Sequence, residues 1–540
     1  MTHLEPLEFS TKLLQALQNP SIYDHPVQEF QILETHISWV LLTGPIAYKI
    51  KKPVNLGFVD FSTLERRRYF CGEELRLNRR LAPDVYLDMV AITGNVEAPE
   101  IGGVTTAIEY AVKMKQFPQQ DLLTHLLHRG QLLAAHIDGL AKQISDFHAA
   151  IQVAGPDIPF GFPDALEKPV LANFQYLPPE ASSLIGEDRI EALRHWTERE
   201  HDRNTESFVK RKSEGFIREC HGDLHLGNMA LINDLVVIFD CIEFNDTFRW
   251  IDVMSELAFI VMDLIDRGRP DYAYRLLNAY LEHTGDYEGL AVFHYYLTYR
   301  AMVRAKVAGI RLEQEEKGGT ESRSTENELK GYLELAERLS KPTHPSLILM
   351  HGLSGSGKTT IAQLILETLG AIRIRSDIER KRLFGLSPDA RSEQVSDFSI
   401  YGSDATERTY QLLEDLAEEI LEAGFVVIVD ATFLKATQRQ HFQRLAEKKQ
   451  VPFLIVDVVS STSTMQERVR KREERQLDAS EATVTVLEDQ IRHQEPFGSE
   501  EQPFVVCIRN DETFHPLTLK EELLKKGFKF QVSGFKQENG

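Results

Sequence analysis

Residues 351–360 read His-Gly-Leu-Ser-Gly-Ser-Gly-Lys-Thr-Thr and fit the pattern Gly-x-x-x-x-Gly-Lys-[Ser/Thr]. This stretch constrains the fold most, because the pattern works only between a buried strand and a helix. Leu347-Ile348-Leu349-Met350 supplies the strand, and the amphipathic run from Thr360 to Leu369 supplies the helix. Glycines 352, 355 and 357 let backbone N–H groups turn toward one anion, and the helix N-terminus adds partial positive charge. Lys358 is expected to reach the terminal phosphates of ATP and Thr359 to ligate Mg2+. Gly352, Gly355, Gly357 and Thr360 complete the nucleotide-binding loop.

A second phosphate motif lies upstream, in Glu219-Cys220-His221-Gly222-Asp223-Leu224-His225-Leu226-Gly227-Asn228. His221, Asp223 and Asn228 have the spacing His-x-Asp-x-x-x-x-Asn of a kinase catalytic loop. In that chemistry an aspartate accepts a hydroxyl proton. An amide a few residues on, and a carboxylate at the next strand, hold magnesium against the ATP phosphates. Asp223 is the expected base. Asn228 and Asp240, which ends the strand-like run 235–239, are the expected metal ligands.

His-Gly-Asp in place of His-Arg-Asp, and Phe239-Asp240-Cys241 in place of Asp-Phe-Gly, resemble the aminoglycoside phosphotransferase and choline kinase group. The resemblance runs from about Phe30 to Tyr299. It implies that Ala47-Tyr48-Lys49 is the phosphate-pairing strand. The partner of Lys49 then lies in the helical run Arg66–Arg80, with Glu74 preferred over Glu73. It also implies that Glu109–Met114 leads into the hinge and that Asp252 is structural. Two departures matter. No Gly-x-Gly-x-x-Gly precedes Lys49, leaving only Thr43-Gly44-Pro45 to cap the phosphates. Lys51 and Lys52 compete for the role of Lys49, and exposed strand-edge lysines are an alternative reading of all three.

In the second half, Ser376-Asp377-Ile378-Glu379-Arg380 is similar to the Ser-Asp-x-x-Arg of P-loop kinases for small molecules and polynucleotide 5′-hydroxyls. That similarity implies Asp377 as base and Arg380 as substrate anchor. The alternative is a helix N-cap. Val426–Val429 is an apolar strand ending at Asp430, the pattern of a magnesium-polarising carboxylate. Glu467–Arg475, followed by Asp478–Thr483, resembles a kinase lid. Arg472 is the first candidate for the transition-state charge and Arg468 the second, against a solvated helix laced with i,i+4 pairs. Together the halves resemble bacterial proteins that join an aminoglycoside-phosphotransferase-like domain to an AAA-family P-loop ATPase/kinase domain. That second domain is similar to polynucleotide kinases and zeta-toxin-type kinases.

A chain of 540 residues exceeds a single core. The expected architecture is an α+β, two-lobed kinase-like domain over 1–311, a linker and helix over 312–344, and an α/β P-loop domain with a parallel sheet over 345–540. The polar stretch 313–322 reads as a solvated loop. Lys and Arg total 61 against 82 Asp and Glu, a net charge of -21, which argues against broad nucleic-acid or membrane adhesion. The four cysteines form no Cys-x-x-Cys pair, and Cys220 and Cys241 read as small buried side chains. The first residues lack a basic region followed by an apolar core. The apolar run 257–262 is too short to span a bilayer and reads as a buried helix. A cytoplasmic setting is expected, with ATP and a hydroxyl-bearing small molecule as partners. The leading expectation is a tandem ATP-dependent phosphotransferase. Its alternatives are a P-loop switch that regulates the first half, and polynucleotide 5′-hydroxyl phosphorylation by the second.

Overall fold

The computed structural model describes residues 6–57, 59–317, 323–388, 390, 400, 402–475, 481–511, 525–526 and 528. The chain forms two compact units. The first comprises Met1–Gly139, Asp146–Leu166 and Lys210–Ile260; the second comprises Leu140–Ser145, Glu167–Val209 and Val261–Gly540.

The first unit opens on an antiparallel sheet of β1 (Gln31–Glu34), β2 (Ser38–Leu42), β3 (Ile46–Lys51), β4 (Tyr86–Gly94), β5 (Pro99–Ile101) and β6 (Glu109–Lys115). Its spatial order is β1-β2-β3-β6-β4-β5. Alternation along β3 sorts its side chains between two faces. Tyr48 and Ile50 join Trp39, Leu41 and Leu13 in an apolar core, while Lys49 and Lys51 share the opposite face. The helix Leu64–Asn78 starts at Thr63, whose hydroxyl accepts the Arg66 N–H at 3.3 Å, and it packs on β4 and β6. It buries Glu74 completely.

Four further strands follow: β7 (Ile217–Glu219), β8 (Met229–Ile232), β9 (Leu235–Ile238) and β10 (Trp250–Asp252). β7 pairs with β10, and β8 with β9, both antiparallel. Asn233 and Asp234 join β8 to β9 with φ of 52° and 61°. A two-residue hairpin that matches strand twist needs this geometry, and Asn and Asp tolerate it.

The second unit contains a parallel sheet of β11 (Ser346–His351), β12 (Ile372–Arg375), β13 (Val426–Asp430), β14 (Phe453–Val459) and β15 (Val505–Arg509). The order is β12-β13-β11-β14-β15. β11 is central and buried at every position, so its sequence is a continuous apolar run rather than an alternating one. Parallel registry sets Met350 and Arg375 both opposite Asp430. The segments that follow β11 and β12 therefore leave the sheet at the same carboxyl edge as Asp430.

The expected loop at 313–322 is helical in its first part, because the helix Phe293–Lys317 continues through it. Glu and Lys propagate a helix once a packed start has nucleated it. Residues 318–322, and residues 478–480 of the expected lid, lie outside the described residues. The buried helix expected around 257–262 is Val253–Asp266.

Candidate active sites

In the first unit all three competing lysines are buried, at 9%, 1% and 9% exposure for Lys49, Lys51 and Lys52, so none is an exposed strand-edge lysine. They differ in partners. Lys52 faces the far side of the strand, 2.6 Å from Glu34 and 5.1 Å from the Trp39 ring centroid. Lys49 Nζ lies 2.8 Å from Glu74 Oε1, an ion pair outside hydrogen-bond alignment, and it also meets Asp240 Oδ1. Glu73 turns to Arg76 instead. Burial alone opposes ionising Glu74, but Lys49 and Lys51 outweigh it and hold the carboxyl well below its usual range. Burial likewise opposes charging Lys49, but Asp240 and Glu74 outweigh it and hold that ammonium well above the usual lysine value.

The His-x-Asp loop is fixed from three sides. His221 Nε2–H donates to the Phe239 carbonyl at 2.9 Å, and its Nδ1 accepts the Asp223 N–H at 3.2 Å, which sets one neutral tautomer. Burial, only partly offset by Glu256, lowers its pKa. Gly222 has φ +90°, and a Cβ there would lie 2.6 Å from the Phe248 carbonyl oxygen. This contact is why glycine stands at the middle position of the motif. The Gly222 N–H donates to Glu256 Oε1 at 2.7 Å, and Glu256 Oε2 is 2.9 Å from His148 Nε2. Asn228 Nδ2 donates to the Asp223 carbonyl at 3.0 Å and to its Oδ2 at 2.9 Å. The Phe239 N–H donates to the Asn228 carbonyl at 3.0 Å, so Asp240 follows immediately beside Asn228. Asp240 adopts φ +65°, and its N–H donates to the Tyr86 hydroxyl at 3.1 Å. Asp252 accepts two bonds from Arg211, at 2.7 and 2.8 Å, and one from the Met254 N–H. That fork holds the β10 end and leaves Asp252 a structural residue.

In the second unit the glycine loop is built against neighbouring backbone. Gly352, Gly355 and Gly357 have φ of +137°, +81° and +95°. A Cβ at Gly352 would sit 2.5 Å from the Val458 carbonyl oxygen, and one at Gly355 2.7 Å from that of Met465. Gly357 precedes the helix Lys358–Leu369. Lys358 Nζ folds back onto the Leu353 carbonyl at 3.0 Å. Burial pushes its pKa down; Asp430 and Asp377 oppose that shift, and Arg472 adds to it. Both carboxylates and Arg472 thus act electrostatically on one ammonium. Thr359 Oγ1 donates to Asp430 Oδ2 at 2.7 Å. Two oxygen ligands side by side at a helix N-terminus fit Mg2+, which takes hard oxygen donors beside phosphates. Thr360 is exposed.

Asp377 lies within the helix Ser376–Leu383, whose N-cap is Arg375 without a side-chain cap bond. No side-chain cap bond forms at this end, while Asp377 stands in the first turn, where a carboxylate favours the helix dipole. Arg380 is buried, and its NH1 donates to the Ile400 carbonyl at 2.9 Å and to Thr406 Oγ1 at 3.3 Å. Those bonds tie its guanidinium to the fold. Arg468 donates to the Ser356 carbonyl at 3.2 Å and the Asn510 carbonyl at 2.8 Å, so it braces the glycine loop from outside. Arg472 reaches the Ala482 carbonyl at 3.4 Å.

Several residues of these sites carry no local signal. His148 and Glu256 are 108 positions apart. Asn510 Nδ2 donates to the Ser356 carbonyl at 2.8 Å, and Gln490 Oε1 accepts the Ser354 N–H at 2.8 Å. The Tyr410 hydroxyl accepts the Phe433 N–H at 3.3 Å. Lys51 had a visible signal, its i,i+2 relation to Lys49.

Asp223, Asn228 and Asp240 of the first site fall in one family match, which Lys49 and Glu74 precede, and the glycine loop and Asp430 fall in another. Residues 105–293 match the phosphotransferase enzyme family, and residues 347–497 match an AAA domain. The chain thus joins a kinase-like phosphotransferase segment to a P-loop kinase segment. Over 466 residues it is 28% identical to uncharacterized proteins of Mycobacterium tuberculosis and Mycobacterium bovis, covering 86% of this chain and 91% of each relative. Among solved structures it is similar to a choline/ethanolamine kinase family protein from Mesorhizobium loti. That likeness has 10% identity and a TM-score of 0.36, and covers 61% of this chain and 94% of the other. It is also similar to the Mycobacterium tuberculosis APS kinase CysC, with 17% identity and a TM-score of 0.26, covering 35% and 100%. Among the described residues no helix is long and apolar enough to cross a membrane.

Proposed function

We propose that this protein is a tandem ATP-dependent phosphotransferase, with one site in each segment moving the γ-phosphate of ATP to a hydroxyl acceptor. Its functional domains are 1–311 and 345–540, joined by 312–344, and its setting is cytoplasmic. The observation that carries the reading is the Thr359–Asp430 hydrogen bond at 2.7 Å, set beside Lys358 at the start of a helix.

At the second site Lys358 exchanges the Leu353 carbonyl for the β- and γ-phosphates. Asp377 takes the acceptor proton, and Arg472 meets the charge that develops on the moving phosphoryl group. Arg468 acts by bracing the loop carbonyls. Thr359 and Asp430 would hold Mg2+ there. At the first site Asp223 takes the proton, and the Asn228 amide orients its carboxylate. Lys49 pairs with the phosphates from its ion pair with Glu74. Asn228 and Asp240 would hold the metal. Bound Mg2+ supplies neutralisation of the phosphate charge at both sites.

The test is transfer from labelled ATP to a panel of small hydroxyl compounds and nucleic-acid 5′ ends. Wild type, Asp223→Ala and Lys358→Ala are compared. Two separable acceptor sets, each lost with one variant, support the tandem reading. Hydrolysis without any acceptor, lost in Lys358→Ala, would make the second segment a switch. Phosphorylation of 5′ ends alone would make it a polynucleotide kinase.

A further inference from the structure

Four ion pairs in the first unit run as one continuous chain of charges. Asp240 meets Lys49, Lys49 meets Glu74, Glu74 meets Lys51, and Lys51 meets Glu243. The polypeptide closes the circuit, since Glu243 stands three positions after Asp240. The two oxygens of Glu74 are divided, Oε1 to Lys49 and Oε2 to Lys51 at 2.7 Å. Strand alternation makes this division possible, because Lys49 and Lys51 lie on one face of β3. Asn78, at the end of the same helix as Glu74, adds a parallel tie. Its Oδ1 accepts the Cys241 N–H at 2.8 Å, and its Nδ2 donates to the Glu74 carbonyl at 2.8 Å. Two ammonium groups and three carboxylates leave one negative charge on the ring, of which Asp240 is the partly exposed member.

We propose that Lys51 and Glu243 are positioning residues for Mg2+-nucleotide binding at the first site. Lys51 occupies one oxygen of Glu74, so Lys49 is held by the other oxygen alone and by Asp240. Lys49 is thereby kept at the phosphate position without being locked into a two-oxygen grip. Lys51 also anchors Glu243, which fixes the segment that presents Asp240. Removing Lys51 frees both Glu74 oxygens to draw Lys49 inward and releases the Asp240 segment. This inference rests on the reading of Lys49 and Asp240 given above.

The test uses the full chain carrying Lys358→Ala, so that the glycine-loop site does not dominate the signal. Binding of the non-hydrolysable β,γ-imido analogue of ATP is measured by titration calorimetry across a series of Mg2+ concentrations. Lys51→Met and Glu243→Gln are expected to raise half-saturating Mg2+ by about tenfold or more, the usual scale for groups that orient metal ligands. The double variant Lys51→Met/Glu243→Leu replaces the charge pair by apolar contact. It is expected to recover the parent melting temperature while keeping the raised Mg2+ requirement. Half-saturating Mg2+ within about twofold of the parent in Lys51→Met overturns the proposal. So does its return to the parent value in the double variant, because the pair would then only hold the fold. Lys49→Ala is run alongside. Loss of binding there with an unmoved Mg2+ curve in Lys51→Met overturns the ring alone. Unchanged affinity in Lys49→Ala overturns the underlying reading, and the inference with it.

Discussion

At the scale of single residues, the proposed function assigns two aspartates to proton transfer and not to nucleotide binding. On the proposed function, Asp223→Asn removes the proton acceptor but keeps a side chain for the Asn228 amide. Transfer at the first site is expected to fall roughly a hundredfold or more, with nucleotide affinity within a few-fold. Single-turnover transfer beside calorimetry on the same samples reads both. Asp377→Asn is expected to act the same way at the second site. Since its helix is capped by Arg375 without a side-chain bond, the substitution removes no cap and leaves the melting temperature near wild type. A marked fall in melting temperature would show that Asp377 is structural. Gly355→Ala is a different kind of change. Its Cβ would meet the Met465 carbonyl oxygen at 2.7 Å with φ at +81°, so neither the space nor the backbone accepts it. It is expected to weaken ATP binding and stability together, seen as a lower melting temperature that ATP no longer raises.

At the scale of elements, the reliable signals were those a segment carries within itself. The glycine loop, the strand ending in Asp430 and the His-x-Asp spacing each occupy a short span, and backbone geometry then dictates where their side chains go. What brings distant spans together was not legible. Nothing around His148 points to Glu256, and nothing around Ser356 points to Asn510. The helix Thr462–Arg475 shows the difference within one element. Its sequence offers several arginines, but only the packing distinguishes Arg468, bonded to loop carbonyls, from Arg472, which donates to the Ala482 carbonyl. Arg468→Ala is accordingly expected to lower stability and nucleotide affinity together. Arg472→Ala should cut the transfer rate more than the affinity. A third contrast lies at the end of β10. Asp252 and Arg211 form a buried two-bond fork, and truncating Arg211 takes the guanidinium from a buried carboxylate. Arg211→Ala is expected to cost about 3–5 kcal/mol in denaturant unfolding without a specific effect on Mg2+ dependence.

At the scale of the whole molecule, stability and segment boundaries depend on groups outside both sites. His294 stacks on Phe425 with ring centroids 4.5 Å apart, and neither ring nitrogen has a hydrogen-bond partner among the described residues. Burial pushes its pKa down to about 4 from an ordinary value of 6.5. A lowered folded value means that the unfolded chain takes up the proton first as pH falls. The neutral ring's contribution is therefore complete above pH 6.5 and is lost as pH drops toward 4, a change on the order of 3 kcal/mol. His294→Phe keeps the stack and removes the titration. Its melting temperature is expected to fall less than wild type between pH 7 and pH 4.5, and an identical fall in both would exclude His294 as a source of acid sensitivity. His294 falls just past the end of the phosphotransferase family match, yet its stacking partner belongs to the AAA segment. The helix Pro270–Thr284 bridges the same two segments more firmly. Asn278 donates to the Ala371 carbonyl and accepts the Arg373 N–H, and Glu282 pairs with Arg373 and Arg375. A protein cut or recombined in the stretch between the two family matches would carry β12 away with the buried Arg373 and the half-buried Arg375 stripped of their shared carboxylate. The boundary between the two family matches is therefore not a boundary between packed units: Pro270–Thr284 falls within the phosphotransferase match, yet it shares a unit with β12 and supplies the counter-charge of that strand.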